Sequence, residues 1–136
     1  MNEEKELMSK KRTLTLLEVM IVVTIISILA ALAMPAYVKA KKRAVDREAQ
    51  SQLKIIQLAE KKIKLEEGGY ITCASNALCN LALNLDLPSS TANGGHWDYA
   101  VTSVNLAATP PTFTAVAKDA GGVTRWTIDQ DDKMAH

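Results

Sequence analysis

The chain has 136 residues, with 16 Lys plus Arg against 15 Asp plus Glu, two cysteines and two histidines. That length makes one domain the default, and a formal charge of +1 gives no net pull toward nucleic acid or an acidic partner. The sequence contains no G-x-S-x-G, no H-E-x-x-H and no glycine-rich phosphate loop, so an enzyme is not expected.

Residues 1–13, MNEEKELMSKKRT, are polar and charged and have the character of a leader that builds no core; Lys10, Lys11 and Arg12 close it. From Leu14 to Val38 the chain carries one charged residue, Glu18. As a helix this run rises about 37 Å, more than the roughly 30 Å hydrocarbon core of a bilayer. A cleaved secretory signal has a shorter apolar core of roughly 7–15 residues, so a retained membrane helix is expected over 14–38. Lys39, Lys41, Lys42 and Arg43 follow it. Both flanks are therefore basic, and the positive-inside rule does not set an orientation.

The helical pattern continues to about Glu67. Val45, Ala49, Leu53, Ile56, Ala59 and Ile63 recur at helical spacing and define one apolar stripe. Pro35 lacks an amide hydrogen and crowds the preceding turn, so a kink or local loosening is expected there. Gly68 and Gly69 supply the stop. Lys61, Lys62 and Lys64 read as the wet face of the helix.

Residues 70–95 read as a loop-rich connection holding both cysteines, Cys73 and Cys79. Outside the cytoplasm these two form a disulfide; reduced thiols or a metal pair are the alternatives, the latter without suitably spaced histidines. Three segments rich in β-branched and aromatic residues follow, HWDYAVTSV, TFTAVAKDA and VTRWTID, separated by ATPP and AGG turns. Three strands on the amphipathic helix make a small α+β layer structure. Beyond Tyr70 there are three cations against six anions, the wrong balance for tracking phosphates, so no direct nucleic-acid contact is expected. Asp129, Asp131 and Asp132 read as a solvated turn rather than a calcium site, which needs six to eight oxygens. No metal and no cofactor are expected.

The stretch TLLEVMIVVTIISILAALAMPAY resembles the N-terminal helix of type IV pilins and of the related pseudopilins of type II secretion systems. The matching features are the basic block Lys10 to Arg12, then Thr15, Leu16, Leu17 and Glu18, then Pro35 and Tyr37. The resemblance implies an α+β fold of the pilin type: a long N-terminal α-helix, transmembrane in its first half and amphipathic in its second, packed on a small antiparallel β-sheet. It divides the chain into a leader (1–13), a transmembrane and filament-core helix (14–38) and a periplasmic or extracellular head (39–136).

It further implies cleavage by a prepilin peptidase between Thr13 and Leu14, where the family normally has Gly before a Phe or Met. Residence in the inner membrane with the head in the periplasm is implied next, and then homo-oligomeric assembly into a helical filament by a pilus or secretion machinery. In such filaments Glu18 is expected to meet the α-amine of a neighbour, because an unpaired buried carboxylate neutralises or destabilises its site. A pseudopilin of type II secretion and a signal-anchored periplasmic domain that never assembles are the competing expectations.

Overall fold

The computed structural model describes residues 15–136. The described chain falls into two compact units that divide between Lys41 and Lys42. The expected leader and the expected cleavage pair, Thr13 and Leu14, lie outside the described residues.

Helix α1 runs Leu16–Glu67, 52 residues, and continues past Pro35, which cannot donate the hydrogen bond to the preceding turn. Within the first unit its side chains are exposed all round, Leu16, Ile26, Leu29 and Leu32 among them. It is the one helix among the described residues that is long and apolar enough to cross a membrane. Such an all-round apolar surface has no solution in water and needs lipid or other helices to cover it.

The second unit begins with the amphipathic part of α1. Ala49, Leu53 and Ile56 are buried, with Val45, Ala59 and Ile63 at the edges of the same stripe. The helix ends at Gly68, whose φ of +80° only glycine adopts without strain. Four strands follow: β1 (Asp98–Asn105), β2 (Thr112–Lys118), β3 (Thr124–Asp129) and β4 (Met134–Ala135). They form one antiparallel sheet in the order β1-β2-β3-β4.

The register explains the core. Tyr99 opposes Ala117, which opposes Trp126; Val101 opposes Ala115, which opposes Ile128. Each row is thus large–small–large, and the two fully buried alanines of β2 belong to the same core cluster as Leu53 and Ile56. Burying Leu53, Ile56, Phe113 and Ile128 contributes about 1.5–3 kcal/mol each. Tyr70 packs on Phe113 at 4.7 Å between ring centroids, bringing the chain that leaves α1 onto the sheet.

Two expectations are corrected. The sheet has a fourth strand, because Asp129 Oδ1 accepts the Asp131 and Lys133 amides and folds the tail back onto β3. A two-residue strand has no alternation to read. The connection expected as loop contains helix α2, Asn76–Leu83. Ser75 caps it by accepting the Leu78 amide, and Asn84 ends it in the left-handed conformation. Eight residues are too few for a periodic signal to stand out.

Candidate functional site

The N-terminal turn of α1 is built by Thr15. Its hydroxyl accepts the Glu18 amide and its carbonyl accepts the Val19 amide, both at 3.2 Å. Thr15 is therefore the N-cap, and Glu18 occupies the third helical position, its amide satisfied by the Thr15 hydroxyl. A carboxylate there also faces the positive end of the helix dipole. The T-L-L-E spelling carried this signal, although the sequence reading used Thr15 only as part of a family pattern. Glu18 is exposed, as is every described residue up to Lys41.

Two further polar residues in the apolar run are neutralised locally. Thr24 Oγ1 donates to the Met20 carbonyl and Ser27 Oγ to the Val23 carbonyl, both at 2.7 Å. Each hydroxyl is satisfied without water, which is what a bilayer requires. Glu18, by contrast, has no ion-pair partner among the described residues. Pro35 and Tyr37 are both exposed on the same helix.

In the second unit Cys73 and Cys79 are joined in a disulfide and both are buried. Cys73 also exchanges two backbone hydrogen bonds with Val101, so the bridge fixes the start of α2 against the edge strand β1. Asn76, on the first turn of α2, completes the attachment. Its amide nitrogen donates to the Pro88 and Trp97 carbonyls at 2.9 and 3.1 Å, and its oxygen accepts the Tyr99 amide at 2.6 Å. Nearby, Gly95 approaches Ser89 so closely that an added Cβ would sit 1.7 Å from its carbonyl oxygen. A shallow apolar groove of about 550 Å³ lies between α2 and β1, lined by Thr72, Cys73, Leu78, Leu81, Val101 and Thr102.

The helix also buries polar residues on the stripe read as purely apolar. Gln57 donates to the Asp129 carbonyl at 2.7 Å, tying α1 to the end of β3. Glu60 is 0 % exposed; its Oε2 accepts the Ile71 amide at 3.0 Å, while its Oε1 has no protein partner. Burial raises its pKa, and the Ile71 hydrogen bond offsets this in part. Position 60 lies four beyond Ile56 and seven beyond Leu53, so spacing alone marked it as a core position. Burial, and secondarily the charge of Glu48, pushes the Tyr99 phenol up as well. Glu48 pairs with His96 at 3.1 Å near the surface. On the β2–β3 turn, the Arg125 guanidinium and the Val123 and Gly121 amides hold the Asp119 carboxyl below its usual range. No group of three or more metal-ligating side chains occurs among the described residues.

The described residues thus comprise a capped apolar helix with one early carboxylate, and a small α+β head stapled by a disulfide. Residues 8–34 match the prokaryotic N-terminal methylation motif. The chain is similar to the type IV major pilin protein PilA of Myxococcus xanthus (strain DK1622), 43% identical over 61 residues. That alignment covers 45% of this chain and 28% of the relative's length. The N-terminal methylation motif thus ends inside the apolar part of α1, and the chain beyond it folds as an α+β head that resembles the pilin type.

Proposed function

We propose that this chain is the structural subunit of a bacterial type IV pilus-like filament, held in the inner membrane by α1 with its head in the periplasm before assembly. The observation that carries the reading is the apolar helix that starts in a capped Thr-Leu-Leu-Glu turn and exposes Glu18 without an ion-pair partner among the described residues. In the membrane that carboxylate gains nothing. Acidic residues cost roughly 2.5–3.5 kcal/mol at a helix centre, and less near an end, where Glu18 reaches the headgroups. Its use lies in assembly. Cleavage between Thr13 and Leu14 by a prepilin peptidase exposes an α-amine, and the amine of a neighbouring subunit pairs with Glu18 in the apolar filament core. Such a pair specifies axial register more than it adds net stability. Pro35 lets the helix adjust to its neighbours, and a head-to-tail contact that does not close propagates a filament.

Glu18→Ala is the test. It should leave normal amounts of membrane-held, processed subunit and few or no filaments in sheared material examined by negative-stain microscopy. Glu18→Gln, which keeps the shape without the charge, should also assemble poorly. Normal filament yield from Glu18→Ala refutes the registry role, and loss of the subunit from the membrane assigns Glu18 to insertion instead. N-terminal sequencing of the assembled subunit should start at Leu14. Both pilins and the pseudopilins of type II secretion use an N-terminal segment of this kind, and recovery of filaments from the cell surface or from the periplasm separates the two.

A further inference from the structure

The sequence holds six asparagines, and Asn93 is the one followed by glycine. An asparagine carboxamide can be attacked by the amide nitrogen of the next residue, and a glycine there offers no side chain to obstruct the ring that forms. The structure separates this asparagine from the others it describes. Asn76 spends its carboxamide on three hydrogen bonds. The Asn80 Oδ1 accepts the Leu87 amide at 2.7 Å, and the Asn105 Oδ1 accepts the Ala107 and Ala108 amides. Asn84 is followed by the bulky Leu85. Asn93 and Gly94 are both exposed, at the end of a single 3₁₀ turn, Thr91–Asn93. The Asn93 Nδ2 donates to Ser90 Oγ at 3.4 Å and the Gly94 amide to the Thr91 carbonyl at 3.3 Å, both too long to hold firmly. No described atom lies within 4 Å of where a Gly94 Cβ would stand, so the attacking nitrogen has room to turn.

We propose that Asn93 is a site of spontaneous modification, converted through a cyclic imide to aspartyl and isoaspartyl forms, and that the isoaspartyl form loosens residues 90–97 from α1. The Gly94 nitrogen forms a bond to the Asn93 Cγ, the Cγ–Nδ2 bond breaks, and Nδ2 leaves as ammonia with the Gly94 amide proton. Water then adds to either carbonyl of the imide. Opening the Cγ–N bond gives aspartate in the ordinary main chain. Opening the bond to the backbone carbonyl carbon gives isoaspartate, with the main chain running through Cγ. Aspartate at this position keeps the turn, since its oxygen can accept the Ser90 hydroxyl. Isoaspartate lengthens the chain inside a turn closed by the Gly94 amide on the Thr91 carbonyl and the Gly95 amide on the Ser90 carbonyl, the latter at 2.9 Å. Gly95 has no slack to absorb it, because a Cβ there would stand 1.7 Å from the Ser89 carbonyl oxygen. The displacement passes to the next residues, His96, which pairs with Glu48, and Trp97, whose Nε1 donates to the Val45 carbonyl at 2.9 Å. Those two contacts tie the connection to α1.

The test incubates the full chain, purified in mild detergent, in warm buffer and follows it by peptide mass spectrometry with isoaspartyl methyltransferase labelling. Amide loss should concentrate at Asn93, severalfold faster than at Asn76, Asn80, Asn84 or Asn105. Its rate should not depend on protein concentration, and isoaspartate should exceed aspartate. Asn93→Gln, whose longer side chain closes the ring far more slowly, should suppress the labelling and leave the far-UV circular dichroism unchanged. Amide loss at Asn93 no faster than at the other four, or a product that is all aspartate, overturns the imide route. Hydrogen exchange tests the consequence. The isoaspartyl fraction should exchange faster over residues 90–97, whereas Asn93→Asp, which adds the same charge in the ordinary main chain, should keep the parent rates. Equal exchange in the isoaspartyl fraction and the parent, or equal acceleration by Asn93→Asp, overturns the loosening.

Discussion

Asn76→Ala should be among the most damaging single substitutions in the head. The side chain is 4 % exposed and makes three hydrogen bonds that join α2, the 88–97 connection and β1. Truncation leaves the Tyr99 amide and the Trp97 carbonyl without a partner, both on buried residues, while Pro88 is half-buried and its carbonyl can turn to water. At about 1–3 kcal/mol for each buried group left unpaired, the loss is about 2–6 kcal/mol. A domain of this size has about 5–15 kcal/mol to lose. The assay is urea unfolding of the full chain in mild detergent, followed by tryptophan fluorescence, since buried Trp97 lies beside the site. With a slope of about 1–3 kcal/mol per molar urea, the midpoint should fall by about 1 M or more. Asn76→Asp separates the polar argument from packing. It keeps the acceptor for Tyr99 but sets a carboxylate against two carbonyl oxygens, which raises its folded-state pKa, so it should be destabilised at neutral pH and recover in part as pH falls toward about 4, with no further gain below. An Asn76→Ala midpoint equivalent to a change under about 0.5 kcal/mol refutes the reasoning.

Replacing both Cys73 and Cys79 by Ala should cost about 2–3 kcal/mol by loop closure and speed hydrogen exchange over residues 70–95 more than over the sheet; unchanged exchange there rules out the stapling role. Glu60 should make the head less stable as pH rises. Its carboxyl is raised above its ordinary value of 4.5 by burial, so the unfolded chain loses that proton first and stability falls from about that value up to the folded pKa, and is level beyond it. Glu60→Gln should remove this slope, and parallel curves for the two proteins from pH 4 to pH 8 refute the assignment.

The sequence by itself determined the long helix, its division into an apolar run and an amphipathic stripe, its stop at Gly68 and the three main strands. Each rests on a periodicity or a backbone preference that is local to the chain. The early carboxylate was legible for the same reason, since one charge in an apolar run stands out before any fold is known. Tertiary structure alone decided that Gln57 and Glu60 are buried, because only the sheet laid against that stripe removes them from water. It alone decided that residues 76–83 are helical. That short segment is held by a cap, a disulfide and the Asn76 contacts with partners up to 23 residues away, not by its own propensity. And it alone decided the fourth strand, which exists because the Asp129 carboxylate turns two amides of the tail back toward β3.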